Sequence, residues 1–173
     1  INCSWGGEGS SPADQDIINT AVEMGSVVVV SAGNSFQNID FGNSYPAGYD
    51  NVLCVGATRS DDKKAWFSNY GYLVTVYGPG DNIYSTIPGN AYNVQSGTSM
   101  SSPMVSGICG QVVAVHPEWT PKQIMHQIRS TSENVINTNV DQRPLYYGRA
   151  NAYRALSINN PAVSTSDKIP GIS

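Results

Sequence analysis

The sequence predicts an α/β fold, a three-layer sandwich with a mainly parallel central sheet that is incomplete on its N-terminal side. Three observations carry this expectation. Val27-Val28-Val29-Val30 is β-branched and apolar on both faces, as a central parallel strand between helical layers requires. Val52-Leu53-Cys54-Val55-Gly56-Ala57 repeats that two-sided pattern, and helix signatures stand before the first run and after residue 97.

Taken in order, residues 1–4 read as a strand. No initiator Met, basic segment or apolar signal core precedes them, so the chain is expected to begin inside a structured element, as a fragment or processed chain. Ser11 suits an N-cap, with Pro12 at the first helical position and Asp14 near the orphan amides. Ala13, Ile17, Ile18, Ala21 and Val22 then recur at helical spacing, and Gly25 supplies a left-handed stop after Met24. The valine run completes a βαβ unit. Residues 73–77 read as a further, edge-ward strand.

Beyond residue 90 the pattern turns helical. Small and apolar residues over 100–115 predict a helix buried on nearly every face, with Pro103 tolerated in its first turn. Thr120-Pro121-Lys122-Gln123 is a capping box opening an amphipathic helix through about residue 129. A short helix is expected around residues 151–156. The Ser-, Pro- and Asn-rich end reads as a tail, which divides the chain into a domain over residues 1–157 and a tail or linker over 158–173.

Composition excludes several classes. A chain of 173 residues with 40% hydrophobic and 13% charged residues can form a packed core and is not a disordered tail. A net charge of -4, with only nine Lys plus Arg, argues against nucleic acid or anionic lipid as a partner. No apolar stretch is long enough for a membrane span. Cys3, Cys54 and Cys109 form no C-x-x-C pair and sit in apolar runs, so they read as small buried hydrophobes.

Two segments suggest chemistry. Ser99 lies between Gly97-Thr98 and the long apolar helix, where unpaired amide hydrogens and the helix dipole favour an anion. Asn34 ends Ser31-Ala32-Gly33-Asn34 at the carboxyl edge of the valine strand, where open α/β sheets place ligands. Alone, Ser99 also suits a plain N-cap and Asn34 a plain turn. Together they can bring a carboxamide and a backbone N–H to one carbonyl oxygen. Ser101 at the last position of G-x-S-x-S breaks the G-x-S-x-G elbow and disfavours an α/β-hydrolase.

The run Gly97-Thr98-Ser99-Met100-Ser101-Ser102-Pro103-Met104-Val105-Ser106-Gly107 resembles the nucleophile motif of the subtilisin-like serine peptidases, the subtilases. Ser31-Ala32-Gly33-Asn34 resembles their oxyanion-hole segment and Ile1-Asn2-Cys3-Ser4-Trp5-Gly6-Gly7 their substrate-binding strand. Tyr45-Pro46-Ala47 resembles the S1 loop, whose proline is commonly cis, and Tyr147-Gly148-Arg149-Ala150-Asn151-Ala152 a closing element. The resemblance spans about residues 1–156.

It implies a serine endopeptidase in which Ser99 is the nucleophile and Asn34, with the Ser99 amide, stabilises the oxyanion. Ser4, Trp5 and Gly6 would bind substrate backbone, with Ala32, Gly33 and Thr98 beside them and Asn43 or Ser44 near the S1 floor. No acidic side chain falls there, which implies a neutral P1 residue, and Trp5 stands where many members carry a smaller apolar residue. The catalytic Asp and His of the family precede the segment at which this chain starts. An N-terminal half, possibly a separate chain, is therefore an expected partner beside the protein or peptide substrate, and the chain alone is expected to show little or no activity. His116 and His126 match no catalytic position, and Met104, where many members have His, is read as packing. No cofactor and no metal ligand set is expected from Asp40, Asp50, Asp61 and Asp62, although structural calcium is possible in the intact enzyme. Secretion or cell-surface display follows from the family habit. The rival reading is a peptide-binding or inactive relative.

Overall fold

The computed structural model describes residues 1–42, 44–135 and 146–158. Four parallel strands run side by side in chain order: β1 (Asn2–Cys3), β2 (Val29–Ser31), β3 (Leu53–Thr58) and β4 (Val76–Pro79). Asn2 pairs with Val29, Val30 with Cys54, and Val55 with Val76. Strand β4 ends the four-stranded sheet but starts at Val76, later than the reading of residues 73–77, and its outer side is bonded through Tyr77 to Gly148 and Ala150.

The valine run explains the layering. Successive strand side chains point to opposite faces, so Val27 and Val29 join Leu53, Val55 and Val76 on one side while Val28 and Val30 join Cys54, Val74 and Tyr77 on the other. Helix α1 (Pro12–Glu23) covers the second face through Val22 and Ala21. Three helices, α2 (Thr98–Val115), α3 (Pro121–Ser130) and α4 (Ala152–Ser157), cover the first through Val105, Cys109, Val112, Ile124, Ile128 and Ala155. This is the expected three-layer α/β arrangement.

Local signals set the helix ends. The Ser11 side chain accepts from the Asp14 amide at 3.4 Å, and Gly25 at φ +97 follows Met24. Thr120 and Gln123 form the reciprocal capping box, at 3.3 and 2.8 Å. Asn151 caps α4 by accepting from the Arg154 amide at 3.0 Å. Cys54 and Cys109 are buried free thiols and Cys3 is half-buried.

Helix α1 forms where the spacing predicts it, with Val22 buried and Ala13 and Ile17 facing outward because the helix meets the sheet with its C-terminal half. Two expectations need correction. Helix α2 is not buried all round: Ser101, Ser102, Val105, Cys109 and Val112 form one inward face, while Met104, Val113 and Val115 are exposed. Its Ser, Gly and Ala residues carry too little polarity contrast to mark the outer face. Pro103 also falls beyond the first turn, since the helix begins at Thr98.

One element went unforeseen. Strands β5 (Ile83–Ile87) and β6 (Ala91–Gln95) form a separate antiparallel hairpin turning through Gly89 and Asn90, both at positive φ. Its residues are mostly exposed, and Tyr84 stacks on Tyr92 at 5.4 Å. Of the tail, residues 159–173 lie outside the described residues.

Candidate active site

The sheet delivers one site segment and α2 the other. After β2 the chain turns through Gly33, at φ +96, where an added Cβ would stand 2.5 Å from Asn69 Nδ2. That conformation and that contact both require glycine. Its amide donates to Thr98 Oγ1 at 3.1 Å, which places Asn34 against the start of α2.

Asn34 Oδ1 there accepts from both the Thr98 amide and the Thr98 hydroxyl, each at 2.9 Å. Two donors on one residue fix which end of the carboxamide is oxygen, so Nδ2 is turned away from Thr98 with its hydrogens open to another acceptor. The Ser99 amide is one of the first N–H groups of α2 and has no carbonyl four residues back within the helix. Both donors border one hollow beside Gly97 that Met100 also lines: the point where a Cβ on Gly97 would sit lies 3.5 Å from Asn34 Nδ2, 3.6 Å from Met100 Sδ and 3.7 Å from Ser99 N.

The segment that follows β1 closes another side. Ser99 Oγ donates to the Ser4 carbonyl at 3.1 Å and Ser4 Oγ donates to the Ser99 carbonyl at 2.9 Å. Asn2 ties this pair down: its Nδ2 donates to Ser4 Oγ at 2.9 Å, while its Oδ1 accepts from Ser102 Oγ at 2.7 Å and Ser106 Oγ at 3.2 Å. Downstream, Gly7 and Tyr45 exchange backbone bonds of 2.9 Å in each direction, and a Cβ on Gly6 would meet the Tyr45 carbonyl at 2.8 Å. The Tyr45–Pro46 peptide is cis. Ser44 Oγ donates to the Ala32 carbonyl at 3.3 Å.

Hydrogen bonds thus join Ser4 to Ser99, Gly33 and Asn34 to Thr98, and Ser44 to Ala32, while Gly6 lies against Tyr45 and Trp5 stands between Ser4 and Gly6 with 66% of its surface exposed. Thr98 and Ala32 have no exposed surface and reach the hollow only through what they hold. Asn43 lies outside the described residues. Every described member of this set is neutral.

The histidines lie elsewhere. His116 caps the far end of α2 and stacks on Trp119 at 3.8 Å. Seventeen positions separate it from Ser99, about 25 Å along a helix. His126 stands on α3, whose Ile124 and Ile128 pack against α2. Ser99 Oγ has the Ser4 carbonyl as its acceptor, not an imidazole. Met104 is 40% exposed, contrary to its reading as packing, because it lies on the outer side of α2. There, with Ser99, Met100 and Pro103, it lines a cleft of about 330 Å³ under the β5–β6 hairpin. Among the described residues no three His, Cys, Asp or Glu side chains gather as a metal ligand set, and no helix is long and apolar enough to cross a membrane.

Sequence reasoning missed Asn69, which is buried and donates from Nδ2 to the Ala32 carbonyl at 2.8 Å. Its role depends on long-range bonds, and nothing in the local pattern signals it.

Residues 1–149 match the model of the Subtilase family, Peptidase_S8. This chain belongs to the subtilase family. The subtilase chain is 37% identical over 153 residues to subtilisin amylosacchariticus of Bacillus subtilis subsp. amylosacchariticus, covering 86% of this chain and 38% of that protein. Against subtilisin DY of Bacillus licheniformis it is 37% identical over 150 residues, covering 86% of this chain and 53% of that protein. A solved protease of Pseudoalteromonas arctica PAMC 21717 superposes with a TM-score of 0.82 at 31% identity, covering 90% of this chain and 50% of the other. A cold adapted subtilisin-like serine proteinase gives a TM-score of 0.74 at 32% identity, covering 87% and 52%. The chain therefore spans about half the length of these relatives, or less.

Proposed function

We propose that this subtilase chain contributes the nucleophile and the oxyanion donors of a serine endopeptidase, with the catalytic His and Asp supplied by residues outside it. One observation carries the reading: Asn34 Nδ2 and the Ser99 amide border a single hollow at the start of α2, next to Ser99. In the reaction, Ser99 Oγ attacks the carbonyl carbon of a peptide bond while its proton passes to the external His. The carbonyl oxygen becomes an oxyanion held by Asn34 Nδ2 and the Ser99 N–H. Collapse breaks the C–N bond, the amine leaves with the proton from His, and water hydrolyses the remaining ester by the same sequence.

Without its base, Ser99 is an ordinary hydroxyl, held here on the Ser4 carbonyl. The isolated chain is then weakly active or inactive, and adding the complementary N-terminal half, covalently or as a second chain, restores turnover. A fluorophosphonate probe reads this directly: Ser99 labels in the restored enzyme and not in the chain alone. Strong labelling of the chain alone would reject the division of labour. The rival reading, a peptide-binding or inactive relative, requires Ser99 to stay unlabelled after the complementary half is added.

The substrate is an extended peptide bound along Ser4-Trp5-Gly6 by main-chain hydrogen bonds. Ser4, Trp5, Gly6, Ala32, Gly33 and Ser44 shape an S1 pocket without a negative charge and select a neutral, apolar or aromatic P1 residue. A peptide-library profile dominated by P1 Arg would contradict this. Secretion or surface display fits the family habit, and structural calcium belongs to the intact enzyme if it is used.

A further inference from the structure

We propose that Asn69 is a positioning residue for Asn34, resting on the assignment of Asn34 as an oxyanion donor. Asn69 is 4% exposed and lies 35 positions beyond Asn34. It binds the loop on both sides of that residue without touching its carboxamide oxygen, which Thr98 holds. Before Asn34, Asn69 Nδ2 donates to the Ala32 carbonyl at 2.8 Å and the Asn69 amide donates to the Gly33 carbonyl at 3.0 Å. After it, Asn69 Oδ1 accepts from the Ser35 and Gln37 amides, both at 3.0 Å.

That pattern demands asparagine. Oδ1 receives two hydrogens and Nδ2 gives one, on a stem short enough to fit against Gly33. Aspartate keeps the acceptor and sets an oxygen against the Ala32 carbonyl; alanine removes both halves. The loop needs such a tether, because Phe36 is held at φ 54, a conformation bulky residues seldom adopt. The same segment secures Phe36, whose amide donates to the Phe67 carbonyl at 2.9 Å and whose ring lies 4.4 Å from Lys64 Nζ. Thr98 thus aims the Asn34 side chain, and Asn69 holds the backbone from which it projects.

The test compares Asn69→Ala, Asn69→Asp, Asn34→Ala and the double variant N34A/N69A in the complete enzyme, with a short peptide substrate. In both Asn69 variants turnover falls roughly tenfold or more while KM moves little, because a misplaced donor fails at the oxyanion and not in substrate binding. The double variant falls no more than about threefold below Asn34→Ala, since the two residues act through one group. Turnover retained in a folded Asn69→Ala or Asn69→Asp enzyme, or losses that multiply in the double variant, would overturn the proposal. Hydrogen exchange on the unmodified enzyme tests it without any variant: the Ser35 and Gln37 amides are protected, and rapid exchange at both would also overturn it. Normal turnover in Asn34→Ala would instead sink the function assigned to Asn34, with the exchange result still deciding whether Asn69 fastens the loop.

Discussion

Pro103 stands four residues after Ser99 and so withholds the amide hydrogen that the Ser99 carbonyl would receive in an uninterrupted helix; Ser4 Oγ donates to that carbonyl instead, at 2.9 Å. The helix defect and the strand contact are two halves of one arrangement. Through it, Ser99 is tied to the segment that follows β1.

The tie has a measurable sign. Ser4→Ala leaves the partly buried Ser99 carbonyl without either donor and lowers stability by about 1–2 kcal/mol. Adding Pro103→Ala returns a backbone N–H to that carbonyl, so the double variant recovers part of the loss. Urea unfolding of the two single variants and the double one checks this. Losses that simply add would show that the proline and the serine hydroxyl are not linked.

Thr98→Val keeps the side-chain shape and the backbone donor to Asn34, and removes the hydroxyl that donates to Asn34 Oδ1 and accepts from the Gly33 amide. Asn34 is left on one bond where it had two. With Asn34 in its proposed role as an oxyanion donor, turnover of the complete enzyme then falls roughly tenfold, less than in Asn34→Ala, where loss of the donor costs on the order of a hundred- to a thousand-fold. Steady-state kinetics on both variants, with circular dichroism to confirm folding, gives the ranking. A larger loss from Thr98→Val than from Asn34→Ala would contradict it.

Much of this was legible in the chain because its signals are local. The valine run announces a strand buried on both faces, and Ser11-Pro12 and Thr120 to Gln123 announce helix starts by the chemistry of their side chains. The Ser99 and Asn34 segments were readable as motifs. The β5–β6 hairpin was missed although Tyr92 and Val94 alternate with Asn93 and Gln95 after the Gly89-Asn90 turn, because each run is only five residues long and mostly exposed. Asn69 was hidden for another reason: its side-chain bonds span 32 to 37 positions, and no window of sequence contains both ends.

Two glycines should respond in opposite directions. A Cβ on Gly56 would stand 2.3 Å from the buried Tyr77 ring and 3.0 Å from Val74, so Gly56→Ala overpacks the core and costs about 1–3 kcal/mol or more. Gly107, on the outer side of α2, has nothing within 4 Å of its added Cβ. Gly107→Ala therefore stabilises the chain by about 0.5–1 kcal/mol through helix propensity. Thermal or urea midpoints decide, and equal effects would show that the packing around Gly56 is looser than these distances require.

Tyr77 has no exposed surface, and its hydroxyl has no hydrogen-bond partner among the described residues. A buried donor without a partner costs free energy, so Tyr77→Phe is neutral or stabilising by about 1 kcal/mol, unlike the usual loss on altering a buried side chain. Burial also pushes the phenol upward, so it stays protonated throughout the ordinary pH range. A clear loss of stability in Tyr77→Phe would reveal a partner for the hydroxyl.

The buried thiols make stability sensitive to alkali. Burial pushes Cys109 from its ordinary value of 9.0 up to about 12, and burial followed by the nearby Asp40 charge drives Cys54 upward as well. The folded state thus holds protons that the unfolded chain releases. The resulting stabilisation is complete below pH 9, and the Cys109 share fades as pH rises from there towards about 12. Unfolding curves across that window should lose free energy steadily, and Cys109→Ala, though less stable at neutral pH through its cavity, should show a shallower decline. Near neutral pH a disulfide reagent reaches the half-buried Cys3 first and reaches Cys54 and Cys109 only on unfolding. Rapid modification of all three thiols in the folded protein would mean that the layers on both faces of the sheet open far more readily than their packing requires.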